Sequence, residues 1–528
     1  MLRVGIDVGG TNTDAVLLDG DRVVATVKTA GTDDLTTGIT RALDTVLHKA
    51  GAAPEQVAAV MIGTTHFINA ILERKDLAPA AAIRLGLPSG DALPPMVDWP
   101  DDLREAVGGA AFMVHGGREF DGRPLSPVDP DEIRRVARRI GELGIRSIAV
   151  SSVFAPVQAQ DEQRAAAIVR EVLPDADITL SSEIGRMGLL ERENAGILNA
   201  CLRPLAARTV RAFLRALEGR GIGGRLYLTQ NDGTLMNAAF AERYPVLTFA
   251  SGPTNSMRGA AFLSGVRSGI VVDIGGTSTD VGTLIQGFPR EASAAVAVGG
   301  VRTNFRMPDV WSIALGGGTM VRTDPLAIGP QSVGRRIVRE ALVFGGQTLT
   351  ATDVTVAAGC ARVGDPDRVR HLPPVLVEAV VDRMHRLVEE AVDRMKTAAG
   401  DVPVVLVGGG SILVGRPLRG AARVIKPDHY EVANAVGAAI AQVSGTVDRI
   451  YNLDGVDRGE ALRQAREEAV HRAVEAGARR DTVAIVDVED VPLAYLPSNA
   501  TRIRVKAVGE LALAGERRGP AGQPSSGA

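Results

Sequence analysis

The chain has 528 residues, 45% apolar and 23% charged, with a net charge of −3. That composition excludes a wholly disordered or fibrous chain and leaves room for about three domains, or two large lobes and an appendage. Aromatic residues at 3%, with no long basic run and no apolar run of about 18 residues, argue against nucleic acid and membranes as partners, and two lone cysteines, Cys201 and Cys360, exclude a disulfide scaffold and suit a reducing, cytoplasmic setting.

In chain order, LRVGIDV is an apolar run ending at Gly9-Gly10, and MLRVGIDVGG enters it with no signal-peptide pattern. AVLLDGDRVVATVK reads as a hairpin turning at Asp19-Gly20. Residues 34–50 place Leu35, Ile39, Leu43, Val46 and Leu47 at helical spacing, and 57–67 is a buried strand leading into a loop. The Gly-, Pro- and Asp-rich segment 86–126 reads as an insertion or lid. Helix 131–143, strand IRSIAVSSVF and helix DEQRAAAIVREVL follow, an alternation that favours a mostly parallel sheet. Glu183, Glu191, Arg192 and Glu193 lie in a connector that runs into a helix, and read as a solvated face. Asn231-Asp232-Gly233 is a turn after a strand, facing a cleft or serving only as a turn. Ser251-Gly252-Pro253 precedes a small-residue helix and is placed near the site. A strong helix pattern from Leu376 to Met395 leads to VVLVGGGSIL, and the region from about 446 holds a charged helix (456–477) and two strand-like pieces. The tail GERRGPAGQPSSGA is expected to be disordered, and both cysteines read as core.

The most informative feature is an internal echo. Residues 7–14 read DVGGTNTD and residues 273–280 read DIGGTSTD, identical at six of eight positions. Each copy ends one strand-like run and begins another, which points to two lobes of similar topology. Paired glycines let backbone amides approach an anion, and Thr11, Thr13, Thr277 and Thr279 add donors. Asn12 and Ser278 complete the turns, with Gly275 and Gly276 matching Gly9 and Gly10. Asp7 and Asp273 cannot bind phosphate, but can hold Mg²⁺ through waters. Two such turns facing each other would clamp a metal–polyphosphate. No Walker motif or GxGxxG fingerprint is present, so phosphate binding would fall to hairpin turns rather than a helix N-terminus. Gly408-Gly409-Gly410-Ser411, between a strand and an expected helix, would offer a flat surface to a nucleoside, or be a tight turn. Gly316-Gly317-Gly318 is either a turn or a cleft wall. Thr65 and His66, at a strand end, are candidate substrate contacts, with a plain loop histidine as the alternative for His66. The other histidines show no metal-ligand spacing.

These elements, in this order, resemble the actin, Hsp70 and sugar-kinase ATPases. The resemblance implies a two-lobe, ribonuclease H-like α/β fold closing on ATP·Mg²⁺ by hinge motion, with a small C-terminal α/β appendage. Within that superfamily, GIDVGGTNTDAVL, MIGTTHFINAIL, FASGPTNSMRGAAF, VVDIGGTSTDVGTL, SIALGGGTMV, VLVGGGSIL and HYEVANAVGAA are similar to the hydantoinase A, 5-oxoprolinase and acetone carboxylase α-subunit family. Asn12 stands where longer members usually carry an aromatic residue. The resemblance implies an N-terminal lobe over 1–180, an ATPase lobe over 181–445 and a small region over 446–528. It implies ATP-dependent activation of a cyclic amide or imide for C–N ring opening, with a second hydantoinase-type subunit as partner. The alternatives are the ATPase subunit of a ketone carboxylase and a non-catalytic nucleotide-binding regulator.

Overall fold

Leu2–Val8, Asn12–Asp19 and Arg22–Ala30 form an antiparallel meander in which the Asp19-Gly20 turn joins the last two strands. Val57–Thr64 lies parallel to the first of them. In this computed structural model all residues are described except Gly10, Thr11, Asp33, Ser293, Ala294, Ala441, Asp454, Val456, 494–499 and 514–528, so two residues of the first glycine turn and the C-terminal tail lie outside the description. Beyond Val57–Thr64 the sheet grows to nine strands through Arg225–Thr229, Leu235–Asn237, Gln442–Tyr451, Thr501–Glu510 and Ala484–Pro492. Strands from all three sequence segments therefore share one sheet with the N-terminal hairpin.

Helix Leu35–Ala50 covers this sheet. Asp34 caps it by accepting a bond from the Thr37 amide at 2.7 Å, and Gly51 ends it in the left-handed region. Its apolar stripe of Ile39, Leu43, Val46 and Leu47 packs with Val4, Ile6 and Leu17. A second, six-stranded sheet is built on the hairpin Gly269–Ile274 and Thr279–Ile285, with Val402–Val407 parallel to its first strand. Helix Pro374–Met395 lays Val380, Met384, Val388 and Val392 on it.

A third sheet of four strands is parallel throughout: Ala80–Leu87, Ala110–His115, Ser147–Ser152 and Asp177–Leu180. Segment 86–126 is thus not a bare loop. It contributes the strand Ala110–His115 and the short helix Asp101–Ala106.

Two expectations are corrected here. Arg192 and Glu193, on the long helix Leu189–Glu218, are buried rather than solvated. Glu193 accepts from Arg84 Nε at 2.7 Å and Ser151 Oγ at 2.6 Å, while Arg192 donates to Ser181 Oγ at 2.9 Å and Ser152 O at 2.6 Å. Burial of these charges is tolerated because each has partners on the four-stranded sheet or just beyond it, which the chain order does not reveal. Cys201 is buried as expected, but Cys360 is exposed, in the stretch between helix Ala351–Ala357 and the turn Pro366–Val369.

Candidate active site

The described ends of the two echoed octapeptides close by the same bond. Gly9 N donates to Asn12 O at 3.0 Å, and Gly275 N donates to Ser278 O at 2.9 Å. Strand register places the first and last aspartates of each copy directly opposite one another, Asp7 with Asp14 and Asp273 with Asp280. On the far side of each leading aspartate runs the parallel strand, Asp7 beside Gly63 and Asp273 beside Val407. The first strand ends at Thr64 and passes through Thr65 straight into the helix His66–Glu73, so His66 opens a helix rather than lying in a loop, and the second leads into Gly408-Gly409-Gly410; the two strand ends are counterparts.

Like charges opposite each other in a sheet repel unless something intervenes. One helix, Ser251–Ser264, reaches the leading aspartate of each pair. Asn255 Nδ2 donates to Asp7 Oδ1 at 3.2 Å, and the neighbouring Ser256 hydroxyl lies close enough to Asp273 to favour its carboxylate. Ser251 Oγ accepts from Thr64 N at 3.2 Å and donates to Thr64 O at 3.1 Å, fixing the helix start on the first lobe. A second short helix, Ala433–Ala439, crosses it. A Cβ on Gly259 would overlap Ala433 O, and one on Gly437 would overlap Asn255 O, so only glycine permits this approach. Just inside the crossing, Asn434 Nδ2 bridges Asp7 Oδ2 at 3.0 Å and Asp14 Oδ2 at 2.9 Å. Asp14, Lys28, Asn255, Ser256, Asp280 and Asn434 were not singled out by sequence reading. For all of them but Lys28 the signal was present in the octapeptide ends and in the small-residue stretches NSMRGAAF and ANAVGAA.

The glycine clusters differ in role. Gly317 N donates to Gly275 O at 3.0 Å and Gly318 N to Gly276 O at 2.7 Å, so these amides brace the second turn. Thr279 Oγ1 donates to Leu315 O at 2.6 Å, and Ser411 Oγ donates to Val407 O, committing both hydroxyls to backbone. Thr277 and Ser278 are exposed at the turn. Gly408 (φ 83°) is bonded through its amide to Tyr430 O at 2.8 Å. The expected helix after it is one short 3₁₀ stretch, Gly409–Leu413.

Thr65 and His66 line a cavity of about 760 Å³ together with Gly9, Asn69, Arg208 and Arg335. Arg335 belongs to the second lobe, where the Gly334–Arg336 turn lies near Thr277, so this cavity runs between the lobes beside the first glycine turn. Burial holds the His66 imidazole below its ordinary range. Asn231 is structural: it accepts from Ala250 N at 2.7 Å and donates to Val246 O at 3.1 Å. Asp232 lines a separate cavity of about 550 Å³ and pairs with Lys506 at 2.8 Å, which outweighs its burial and holds it well below the usual carboxylate range.

Asp7 is 6% exposed. Burial pushes it up to about 7, against the bonds from Asn255 and Asn434 and with Asp14 and Asp273 adding repulsion. Burial likewise raises Asp273 to about 6, against Ser256 and with Asp280 adding. Thr13 Oγ1 and Asn255 Oδ1 are buried and have no hydrogen-bond partner among the described residues. Raised carboxylates and orphaned oxygens around one cleft fit a cation and hydrogen-bonding ligand. No group of three or more His, Cys, Asp or Glu that could hold a metal ion occurs among the described residues.

The raised values fix a sign. Both aspartates titrate above their ordinary 3.8, so the folded state carries extra protons up to about 7 and 6. Their effect on stability is absent below 3.8, and stability is lost as pH rises through those values. The melting temperature of the metal-free chain is expected to fall between about pH 4 and pH 7 and to level off above, and to fall less steeply in an Asp7→Asn/Asp273→Asn double variant. An unchanged slope in that variant would contradict the assignment.

Two sheets built on matching hairpins, facing across crossed small-residue helices, make a two-lobe α/β fold shared with the solved structures of caprolactamase and acetone carboxylase. Residues 3–173 match the hydantoinase/oxoprolinase N-terminal region and residues 192–363 match hydantoinase/oxoprolinase. The chain belongs to the hydantoinase/oxoprolinase family. It is 28% identical to the caprolactamase subunit alpha of Pseudomonas jessenii over 68% of this chain and 54% of that protein. It is 26% identical to the acetophenone carboxylase gamma subunit of Aromatoleum aromaticum over 67% of this chain and 53% of that protein. The chain thus spans about half the length of the curated relatives it matches. Among solved structures, the ATP-dependent caprolactamase of Pseudomonas jessenii aligns at a TM-score of 0.77 and 20% identity, covering 96% of this chain and 87% of that one. Nucleotide-free acetone carboxylase aligns at 0.67 and 19% identity, covering 97% and 88%. No helix of the described residues is long and apolar enough to cross a membrane.

Proposed function

We propose that this chain is the ATP-using subunit of a hydrolase that activates a cyclic amide or imide, of the hydantoin, 5-oxoproline or lactam type, for C–N ring opening. The observation that carries the reading is the Asn255–Ser256 pair: adjacent residues of one helix hold the leading aspartates of both hairpins. In this reading Gly9, Gly10, Thr11, Asn12 and Thr13 face one side of the polyphosphate. Gly275, Gly276, Thr277 and Ser278 face the other, with Thr279 supporting their turn. Asp7 and Asp273 would hold Mg²⁺ through waters. Gly408, Gly409 and Gly410 would back the adenosine, with Ser411, Gly317 and Gly318 fixing the two loops. Bound ATP supplies a phosphoryl group that converts an amide carbonyl oxygen into a leaving group.

The chain's own part is positioning and charge balance. Asn255 and Asn434 orient the Asp7 carboxylate, and Ser256 orients that of Asp273. The cavity at Thr65 and His66 would receive the amide, its ring shielded from bulk water by the two lobes. In this reading a second hydantoinase-type subunit completes ring opening, which the relatives' being named as subunits supports. The likeness to acetophenone carboxylase supports a second reading, in which the activated oxygen belongs to a ketone enolate before carboxylation.

The test is ADP release by the chain with its co-purified partner. Hydantoin, 5-oxoproline or caprolactam is expected to stimulate turnover without bicarbonate, and the chain alone is expected to leave the ring closed. Stimulation only by ketone with bicarbonate would select the carboxylase. Nucleotide binding without stimulated turnover on any of these would leave a regulator.

A further inference from the structure

The two hairpins are near copies, but their third strands are not. Opposite Asp14 the register places Lys28, whereas opposite Asp280 it places Ser312. Lys28 Nζ lies 2.9 and 2.8 Å from the two oxygens of Asp14, and it also donates to the backbone oxygen of Glu431 at 3.1 Å. Glu431 follows Tyr430, whose own carbonyl accepts the Gly408 amide at 2.8 Å. The Lys28 stem also reaches within 3.6 Å of the space a Gly409 side chain would occupy. One ammonium therefore joins the first hairpin to the segment that carries the glycine loop of the other lobe.

We propose that Lys28 is a positioning residue that latches the two lobes across the cleft and sets the place of the Gly408–Gly410 loop. Its three donor protons are divided between Asp14 and Glu431 O, so its work is to tie protein to protein. Asp14 is the anchor: its side chain is 3% exposed while that of Lys28 is 34% exposed, and Asn434 holds its other edge. Burial raises the Asp14 carboxyl and Lys28 pulls it back, so the ammonium keeps an acceptor where the latch needs one. Ser312 gives the second lobe no equivalent reach. Among the described residues its hydroxyl donates to Asp280 of its own hairpin.

Hydrogen exchange followed by mass spectrometry, on the chain without nucleotide, reads the latch directly. Lys28→Met is expected to speed exchange over 408–413 and 430–432, and Lys28→Arg to restore it. The Lys28→Met/Asp14→Asn double variant removes both charges but leaves the lobes untied, so it should stay fast. Exchange in either Met variant at the parent rate would overturn the proposal, and in the double variant it would reduce Lys28 to a counter-ion of Asp14. A second arm rests on the proposed function: affinity for a non-hydrolysable ATP analogue with Mg²⁺ should fall about tenfold or more in both Met variants and little in Lys28→Arg. A parent chain that binds no analogue would sink the nucleotide reading, while the exchange result would still decide the latch.

Discussion

Asp7→Asn and Asp273→Asn are each expected to abolish ATP turnover while leaving the chain folded. The carboxylates sit at the same step of matching hairpins and are steered by adjacent residues of one helix. Neutralising either would remove several kcal/mol of transition-state stabilisation, about a thousandfold in kcat. The Asp7 variant carries a second penalty. Both oxygens of Asp7 accept amide protons, from Asn255 and from Asn434, and an asparagine there would turn an NH₂ group against one of those donors. Folding should survive, because burial already disfavours the ionised form of each aspartate and losing the charge relieves that cost. Steady-state ADP release and thermal melting check both halves. Near-normal turnover in both variants would refute the roles given to these residues.

The second large effect concerns neighbouring glycines. A Cβ at Gly408 would overlap Asp273 Oδ1 and the Ile274 carbonyl oxygen, and the backbone there has φ 83°. Gly408→Ala therefore adds about 1–2 kcal/mol of left-handed strain and displaces the carboxylate as well. At Gly409 the nearest atom to a Cβ is Lys28 Cε at 3.6 Å, an ordinary contact. Gly408→Ala is expected to lower kcat/KM for ATP about a hundredfold, and Gly409→Ala by little. Equal effects at the two positions would show that the loop does not bear on Asp273.

Much of this site was legible because it is local. The repeated octapeptide predicts a repeated turn, and the Gly9–Asn12 and Gly275–Ser278 bonds are that repetition. The helix expected over 34–50 is Leu35–Ala50, with its predicted stripe inward. What was not legible is what comes from far along the chain. Asn434 reaches Asp7 across 427 positions, and Lys28 reaches Glu431 O across 403. Asn434 lies in the quoted stretch HYEVANAVGAA, but nothing local shows that its side chain reaches Asp7, and Lys28 sits in a strand where a lone lysine reads as ordinary surface. Arg192 and Glu193 mislead for the same reason: their partners Ser152 and Arg84 lie elsewhere in the sequence. The strand order of the nine-stranded sheet follows from such non-local pairing, with 501–510 meeting 442–451 over ten registered positions. Ser251, expected near the site, starts the helix Ser251–Ser264 and is fixed to the backbone of Thr64.

The central claim is that one metal–nucleotide complex is held between the two echoed turns. Its most direct test is a crystal structure of the chain with Mn²⁺ and a non-hydrolysable ATP analogue, read by anomalous scattering. The account predicts one strong peak between Asp7 and Asp273, about 4 Å from their oxygens with one coordinated water between, and phosphates flanked by residues 9–13 and 275–279. A peak elsewhere, or a nucleotide seated away from both turns, would contradict it.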